Sequence, residues 1–292
     1  MISHKTYEST QSVLNVVNLK KNYADKTAVN EISFSFNEGE FIGLLGPNGA
    51  GKTTTINMLT GLIKPTSGEV YYYGKDFFLH AEQTKNFIGV VPQVNNIDRD
   101  LTAYENLYHH AILYKMPKNK RKEKIEQSLE FAGLTEYKDK EARTFSGGTK
   151  RRLVIVRALL HEPRILFLDE PTVGLDPHIR RQMWDFIITI NQVRKTTILL
   201  TTHYIEEAEK LCQKVLIIDK GKIIAQGQPN TLKKQIGNYV LEIFYEDRIK
   251  ELFFKTKEEA LNKLKDFDVP CKIRDVTLED LFLTLTGNRI NV

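Results

Sequence analysis

The sequence predicts an α/β fold built on parallel strands, followed by a smaller C-terminal appendage. Two apolar runs carry this prediction: residues 41–45, which lead through a glycine-rich loop into a helix-like run, and residues 165–168, which end in paired carboxylates. Continuous apolar runs bounded by turn residues are typical of parallel strands buried on both faces. Size is the third observation, because 292 residues with 41% apolar content can form one large domain plus an appendage.

The loop after the first of these strands fits the phosphate-binding pattern G-x-x-x-x-G-K-[ST]. Its glycines let several backbone N–H groups point at one anion, and the following helix adds the positive end of its dipole. A chance glycine-rich turn is the alternative, and the strand-loop-helix context argues against it. The pattern predicts that a nucleoside triphosphate binds to this loop, which comprises Gly46, Pro47, Asn48, Gly49, Ala50, Gly51, Lys52 and Thr53.

Two side chains at the end of the loop have specific predicted roles. Lys52 supplies a point charge for the β- and γ-phosphates, and the Thr53 hydroxyl is a ligand for Mg²⁺. A helix is predicted after them, because the apolar residues Ile56, Met58, Leu59 and Leu62 follow at helical spacing.

The second strand-like run ends in Asp169 and Glu170, which we interpret as a Walker B motif at the C-terminal edge of the sheet. In this interpretation Asp169 holds Mg²⁺ through water, and Glu170 polarises the water that attacks the γ-phosphorus. Apolar strands that end in Asp-Glu at a turn are also common for structural reasons. The phosphate loop in the same chain is what favours catalysis.

Residues 145–149 form a third motif, which opens the periodic run 150–160. Ser146 is a natural N-cap, and Gly147 and Gly148 expose backbone N–H groups at the start of a helix. The sequence therefore predicts a second anion site in a chain that has one phosphate loop.

The order and spacing of these three motifs resemble the ATP-binding cassette (ABC) ATPases, over residues of about 13 to 236. The resemblance implies a P-loop NTPase fold with an antiparallel β subdomain and a helical subdomain, with ATP and Mg²⁺ as cofactors. It also implies roles for residues at matching positions. Gln93 of the Q-loop and the switch histidine His203 would be catalytic, and Gln93 would also contact the metal. Tyr23 would stack on adenine, and Thr54 of the phosphate loop and Asp176 of the D-loop would contact the nucleotide.

Some of these residues have structural alternatives, and the third motif departs from the family pattern. A lone histidine at a strand end is often a core residue, and Tyr23 could be ordinary packing. Phe145 and Thr149 stand where the family usually has Leu and Gln. Because the Ser-Gly-Gly centre is intact, we expect ATP binding to be retained, whereas the hydrolysis rate or the dimer affinity could differ.

Because one phosphate loop and one signature occur in one chain, the family chemistry implies a dimer in the ATP-bound state. The partner would be a second copy or a similar ATPase. Each ATP would be held by Lys52 and Thr53 of one subunit and by Ser146 and Gly148 of the other. The resemblance also implies an integral membrane permease, contacted through the helical insert at about 94–160 and moved through the Gln93 region.

The distribution of apolar residues along the chain predicts where the protein is located. We expect no transmembrane helix, because no window approaches about 18 consecutive apolar residues, and the polar residues 1–11 lack the apolar core of a signal peptide. The prediction is a cytoplasmic protein, peripheral on the inner face of the cell membrane. Cys212 and Cys271 are predicted to be reduced and buried, and a net charge of +5 does not demand an anionic partner.

The predicted organisation is a polar tail at 1–12, the ATP-binding domain at 13–237 and an accessory α+β domain at 238–292. In the insert, Thr102 and Glu105 form a capping box before an apolar stripe at Leu107, Ala111, Ile112 and Leu113. The lysines and arginine of 115–124 are predicted to form a solvated helix face, and contact with anionic lipid headgroups is the alternative. In the appendage, Thr277 and Asp280 cap a helix whose apolar face must be buried against the cassette or a second subunit: Leu278, Leu281, Phe282 and Leu285.

The appendage resembles the C-terminal end of the drug, antibiotic and polysaccharide exporter class of ABC ATPases, which implies a regulatory or dimer-stabilising tail. A purely structural cap is the alternative. The expected function is an ATP-hydrolysing subunit that powers export through a separate permease. The alternative is an ABC ATPase acting on nucleic acid or ribosomes. Such proteins normally carry two cassettes or a long coiled-coil insert, and neither is present, so no nucleic-acid partner is expected.

Overall fold

The computed structural model describes residues 12–287 of the chain. The predicted tail therefore lies outside the described residues except for Ser12, and so do residues 288–292 of the predicted accessory domain.

The elements below are those of residues 12–287. The strands are β1 (Ser12–Tyr23), β2 (Lys26–Asn37), β3 (Phe41–Leu45), β4 (Ser67–Tyr72), β5 (Lys75–Asp76), β6 (Ile88–Val91), β7 (Ile165–Asp169), β8 (Thr197–Thr202), β9 (Lys214–Asp219), β10 (Lys222–Gly227), β11 (Tyr239–Phe244), β12 (Ile249–Phe254) and β13 (Cys271–Asp275). The α-helices are α1 (Lys52–Leu59), α2 (Ala81–Lys85), α3 (Ala103–Leu113), α4 (Lys118–Phe131), α5 (Gly147–Leu159), α6 (Pro177–Arg194), α7 (Ile205–Leu211), α8 (Pro229–Lys233), α9 (Lys257–Leu264) and α10 (Leu278–Thr286).

The main sheet has the order β10-β9-β3-β8-β7-β6. The strands β9, β3, β8, β7 and β6 are parallel to their neighbours, and β10 is added antiparallel through the hairpin after Asp219. Both faces are buried, as the apolar runs predict. Along β7, for example, Leu166 and Leu168 pack on one face and Ile165 and Phe167 on the other.

Two layers cover this sheet. One face packs against the helices α3 to α8 and α10, and the other against α1 and a smaller antiparallel sheet of order β2-β1-β4-β5. The long β1–β2 hairpin supplies Val16, Leu19 and Phe36 to this second core. The fold class predicted from the sequence, with its antiparallel subdomain and helical insert, is confirmed.

Two details of the predicted helices are wrong. The helix α1 ends at Leu59, and Leu62 lies beyond it with its side chain exposed, because Gly61 at φ +72° breaks the helical path. In α3 the predicted capping box of Thr102 and Glu105 is present. The predicted apolar stripe of α3 is incomplete, however, since Leu107 and Ala111 are buried but Ile112 and Leu113 are exposed.

The C-terminal segment forms a three-stranded antiparallel sheet of order β12-β11-β13, against which α9 packs. The strands β12 and β13 were not predicted. The capping box at Thr277 and Asp280 is present, and Leu278 and Leu281 of α10 are fully buried in the same core as α7 and α8. The same chain therefore covers Leu278 and Leu281 of the apolar face of α10, while Phe282 is partly buried and Leu285 is exposed.

An ion cluster attaches α10 to this small sheet. Arg274 of β13 contacts Glu242 of β11 at 2.5 Å, Glu251 of β12 at 2.9 Å and Asp280 of α10 at 2.6 Å. The bonds to Asp280 and Glu242 raise the pKa of the Arg274 guanidinium. The regulatory or dimer-stabilising role predicted for this segment stays a prediction.

Both cysteines are free, but the prediction that both are buried is wrong for Cys271, which is only partly buried. Cys212 is buried behind β3, where its sulfur lies close to Gly43, and burial raises the pKa of its thiol.

Two histidines pack near each other where α3 contacts the turn after α5: His110 lies in α3 and His161 in the turn. The ring of His161 stacks on Tyr114 with centroids 3.8 Å apart, and His110 lies 4.7 Å from the same ring. Within residues 12–287, His110 Nε2 and His161 Nδ1 have no hydrogen-bond partner. Burial, with the nearby charge of Arg157, lowers the pKa of His110 to about 4, and burial also lowers the pKa of His161.

We expect this pair to make the fold less stable in mild acid. Because the folded-state pKa of His110 lies below the unfolded value of about 6.5, the unfolded chain binds more protons between these values. The free energy of unfolding is therefore at its full value above pH 6.5 and falls as the pH drops toward 4, by roughly 1–2 kcal/mol at pH 5. Urea unfolding at pH 7.5 and pH 5 measures this difference. His110→Phe should reduce it, and the exposed neighbour His109→Phe should not; equal pH dependence in all three proteins would contradict the assignment.

Candidate functional site

Four parallel strands bring the predicted catalytic segments to one edge of the main sheet. The phosphate loop follows β3, His203 follows β8, Asp169 ends β7 and Gln93 follows β6. Because β3, β8, β7 and β6 are neighbours in that order, their C-terminal ends surround one cavity of about 540 Å³. The cavity is lined by Tyr23, Lys26, Ala28, Asn48, Gly49, Gly51, Lys52, Thr53, Thr54, Gln93, Glu170, Val173 and His203.

The phosphate loop wraps around the amine of Lys52. Lys52 is nearly fully buried, and its Nζ donates to the carbonyl oxygens of Gly46 at 2.8 Å and Pro47 at 3.1 Å. Gly51 precedes α1 with φ +106°, and a Cβ at this position would lie 2.5 Å from the Ala28 carbonyl oxygen. The pattern requires glycine here because any side chain would both strain the backbone and displace the β2 strand.

Asp169 lies between two hydroxyl groups. Its Oδ1 accepts from Thr201 Oγ1 at 2.5 Å and from Thr53 Oγ1 at 3.3 Å. The hydroxyl and carboxylate predicted to hold Mg²⁺ are thus adjacent, although they come from sequence positions 53 and 169. Hydroxyl and carboxylate oxygens are the ligands that Mg²⁺ prefers.

Glu170 is the most highly connected carboxylate of the cavity. Its Oε1 lies 3.1 Å from Lys52 Nζ, and its Oε2 lies 3.1 Å from His203 Nδ1 and 3.5 Å from Gln93 Nε2. Its backbone has φ +44°, in the left-handed region that non-glycine residues seldom occupy, and its N–H is held by Thr201. The tertiary structure therefore enforces an unfavourable backbone geometry that aims this carboxylate into the cavity.

The cavity fits a nucleotide with its metal. Gly49, at φ +81°, has open space where a Cβ would stand, so the loop backbone is accessible from the cavity. Within residues 12–287, no three or more His, Cys, Asp or Glu side chains are placed to hold a metal together. An ion at Thr53 and Asp169 therefore needs further oxygen ligands, which phosphate groups and water supply in nucleotide sites.

The remaining predicted site residues lie in two places. Tyr23 lines the cavity but is 47% exposed, and Lys21 lies over its ring. The signature residues Ser146, Gly147 and Gly148, and Asp176, are absent from the lining of this cavity. One chain does not bring the signature and the phosphate loop together.

The signature and D-loop residues form an exposed corner of their own. Ser146 Oγ caps α5 by accepting from Thr149 N, and it lies 2.8 Å from Thr149 Oγ1. Asp176 caps α6 through Ile179 N. Gly148 packs so closely on Ile179 that a Cβ would lie 2.5 Å from its Cγ2. The two helix N-termini are therefore fixed to each other.

Three buried polar residues that no sequence motif identifies support the site. Thr201 holds both Asp169 and Glu170, and Arg151 of α5 donates to the backbone on either side of the cavity. Glu207 of α7 accepts from Thr172 at 2.8 Å and from Trp184 at 2.9 Å, which connects α7 to α6 and to the segment that follows Glu170. Burial raises the pKa of Glu207. The partners of these residues are distant in sequence, so no local pattern identifies them.

Comparison with known proteins agrees with this geometry. The family model described as "ABC transporter" matches residues 29–173. The chain is 38% identical, over 96% of its length and 99% of the relative's, to the Nod factor export ATP-binding protein I of Cupriavidus metallidurans. It is also 38% identical to the protein of the same name from Rhizobium sp., over 95% and 98%. The chain belongs to the ABC transporter family. It is an ATP-binding subunit of the exporter class, an ATPase whose hydrolysis drives transport through a permease.

Solved structures with the same architecture include subunits of assembled transporters. The cbiO1 protein of Clostridium perfringens, part of the ABC transporter complex cbiONQ, has a TM-score of 0.71 at 29% identity, covering 76% of this chain and 90% of that one. The cassette MJ0796, solved as a dimer in a post-hydrolysis state with ADP and Pi, has a TM-score of 0.67 at 27% identity, covering 74% and 98%. ABC cassettes thus form dimers and join transporter complexes.

These comparisons confirm the predicted ABC resemblance, the fold and the ATPase activity. The relatives are export proteins, which favours transport over an action on nucleic acid or ribosomes. The helices described between residues 12 and 287 include none that is long and apolar enough to span a bilayer.

Proposed function

We propose that the cavity at the edge of the main sheet binds Mg²⁺-ATP and hydrolyses the bond between its β- and γ-phosphates. The observation that carries this proposal is the convergence of Lys52, Thr53 and Glu170, from two distant segments, around one cavity, with the Asp169 carboxylate 3.3 Å from the Thr53 hydroxyl. Lys52 and the loop N–H groups bind the phosphates, and the ring of Tyr23 at the cavity mouth stacks on the adenine. Bound Mg²⁺ would neutralise charge on the phosphate oxygens, and Thr53, Asp169 and Gln93 would hold it.

In this proposal Glu170 orients and polarises the attacking water. His203 and Gln93, both within 3.5 Å of the Glu170 carboxylate, hold its orientation. The ion pair with Lys52 keeps Glu170 in place before nucleotide binds.

We further propose that a second ATPase subunit completes the site. The N-terminus of α5, with Ser146 and Gly147 exposed, presents backbone N–H groups away from the cavity of its own chain. Such an N-terminus binds anions, and a second copy or a similar ATPase would supply its own signature to this cavity. The dimer of the related cassette MJ0796 supports this arrangement.

A groove on the helical insert is the proposed contact with the permease. Its volume is about 410 Å³, and its wall includes Asn96, Asp98, His109, Leu113 and Arg157. Leu113 is 76% exposed, and Val94, next to Gln93, is 77% exposed. Large exposed apolar side chains beside a groove mark protein interaction sites. We propose that a helical segment of the permease occupies this groove, because an occupant contacting residues 94–98 would act directly on the Gln93 segment.

The groove is tested by Leu113→Glu in the chain co-expressed with its permease. We expect co-purification of the two proteins to fall by about tenfold or more, since the substitution buries a charge at an apolar contact. Permease-stimulated ATPase activity should fall with it, while the basal activity of the isolated subunit is retained. Leu79→Glu is the matched control, because Leu79 is 79% exposed on the opposite, antiparallel layer. Equal co-purification of both variants with the permease would refute the proposed surface.

This contact would place the protein on the inner face of the cell membrane, as a peripheral subunit. The relatives named above export Nod factor, and we propose that the permease served by this chain is an exporter of the same class.

A further inference from the structure

Arg151, five residues after Ser146 in the sequence, is a buried cation that the proposed mechanism does not use. Only 4% of it is exposed. Burial lowers the pKa of its guanidinium to about 10, and the charges of Asp169 and Glu207 oppose this shift. A buried arginine is costly unless its donors are satisfied, so its bonding partners indicate what it holds in place.

Those partners belong to two catalytic segments. On one side, Nη1 donates to the Pro92 carbonyl at 2.6 Å and reaches the Gln93 carbonyl and Asn95 Oδ1 at 3.4 Å. On the other side, Nη2 donates to the Asp169 carbonyl at 3.0 Å and Nε to the Pro171 carbonyl at 2.8 Å. The second pair of carbonyls flanks Glu170.

The guanidinium thus joins the backbone of the Q-loop to the backbone of Walker B. Between these two segments the direct side-chain bond from Gln93 to Glu170 is long, at 3.5 Å. The bonds from the guanidinium are shorter and charge-assisted, which makes them the stronger tether. Because Arg151 lies on α5, the same side chain fixes both segments to the helix that begins at the signature.

We infer that Arg151 is a positioning residue that sets the separation of Gln93 from Asp169 and Glu170 and links both segments to the signature helix. The inference rests on the proposed function of the cavity. The planar guanidinium has N–H donors on three nitrogens, so it can donate hydrogen bonds to both segments at once. A lysine at this position keeps the charge but has one nitrogen, so it can satisfy one segment at a time.

The test compares Arg151→Lys with Arg152→Lys. Arg152 is the matched control on the same helix, since it donates to Ala132 and lies over the Phe186 ring, away from the cavity. Amide hydrogen exchange is measured first, on the nucleotide-free proteins. We expect exchange at the amides of residues 93–96 and 169–170 to accelerate about tenfold or more in Arg151→Lys and to be unchanged in Arg152→Lys.

Kinetics provide the second readout. In Arg151→Lys the kcat of ATP hydrolysis should fall about tenfold or more while the Kd for ATP changes less than about threefold, because Lys52 and its loop do not contact Arg151. If Arg151→Lys does not fold, Arg151→Gln is measured in its place, since it is neutral and retains donors.

Three results would overturn the inference. They are wild-type exchange and kcat in the folded Arg151 variant, exchange that accelerates evenly throughout the cassette, and equal losses in the Arg151 and Arg152 variants. Wild-type protein that neither binds nor hydrolyses ATP would refute the proposed function instead, and the exchange pattern without nucleotide would still decide the role of Arg151.

Discussion

Replacing Lys52 by alanine is expected to weaken ATP binding by about 100-fold or more and to abolish hydrolysis. The ammonium lies inside the phosphate loop, 2.8 Å from the Gly46 carbonyl and 3.1 Å from Glu170. Its loss removes the cationic side chain that this buried part of the cavity offers to the phosphates. Titration with a fluorescent ATP analogue measures the affinity, and circular dichroism checks that the variant is folded, because Glu170 loses its ion pair.

Lys26→Ala is the matched control for this experiment. Lys26 also lines the cavity, but it is exposed at the rim. We expect its replacement to change the affinity for ATP by less than about fivefold, as is usual for a screened surface charge. Wild-type affinity in folded Lys52→Ala would remove the argument that the loop binds phosphate.

Replacing Glu170 by glutamine is expected to lower kcat by about 10³-fold while ATP still binds. Glutamine preserves the shape of the side chain, but it lacks the negative charge that orients and polarises the water. Because ATP is no longer consumed, the ATP-bound dimer should accumulate. Size-exclusion chromatography with saturating Mg²⁺-ATP measures this dimer, and phosphate release measures turnover.

The control is Glu82→Gln, a substitution of the same chemistry at an exposed position of α2. It should hydrolyse ATP at the wild-type rate and form no stable dimer. A Glu170→Gln protein that hydrolyses ATP normally and remains monomeric in saturating ATP would show that another group activates the water.

Local sequence patterns predict much of this protein because they encode local structure. The phosphate loop needs glycine at positions of positive φ, and the pattern of residues 46–53 records that need. Capping boxes at Thr102 and Thr277 are likewise complete within four residues, and both are present. The paired carboxylates after β7 were predictable for the same reason, since an apolar run places them at a strand end.

Patterns of this kind fail where burial depends on a distant partner. Ile112 and Leu113 continue the apolar character of α3, but no helix of the described chain covers them. The strands β12 and β13 contain charged residues, so their sequences do not show the apolar pattern of a strand. Arg274 is stabilised there by Glu242, Glu251 and Asp280, which come from other elements. A cross-strand ion cluster leaves no periodic signal in either strand.

The sequence by itself determined which chemistry this protein carries: a phosphate loop, a Walker B pair, a signature and the residues of an ABC ATPase. Tertiary structure alone decided how these groups meet. The strand order β3-β8-β7-β6 brings Lys52, Glu170, His203 and Gln93 around one cavity, and it leaves Ser146 on a different surface. The hydrogen bonds from the buried guanidinium of Arg151 are likewise visible only in the folded chain. Bonds to carbonyl oxygens depend on where the backbone lies and not on which residues it carries.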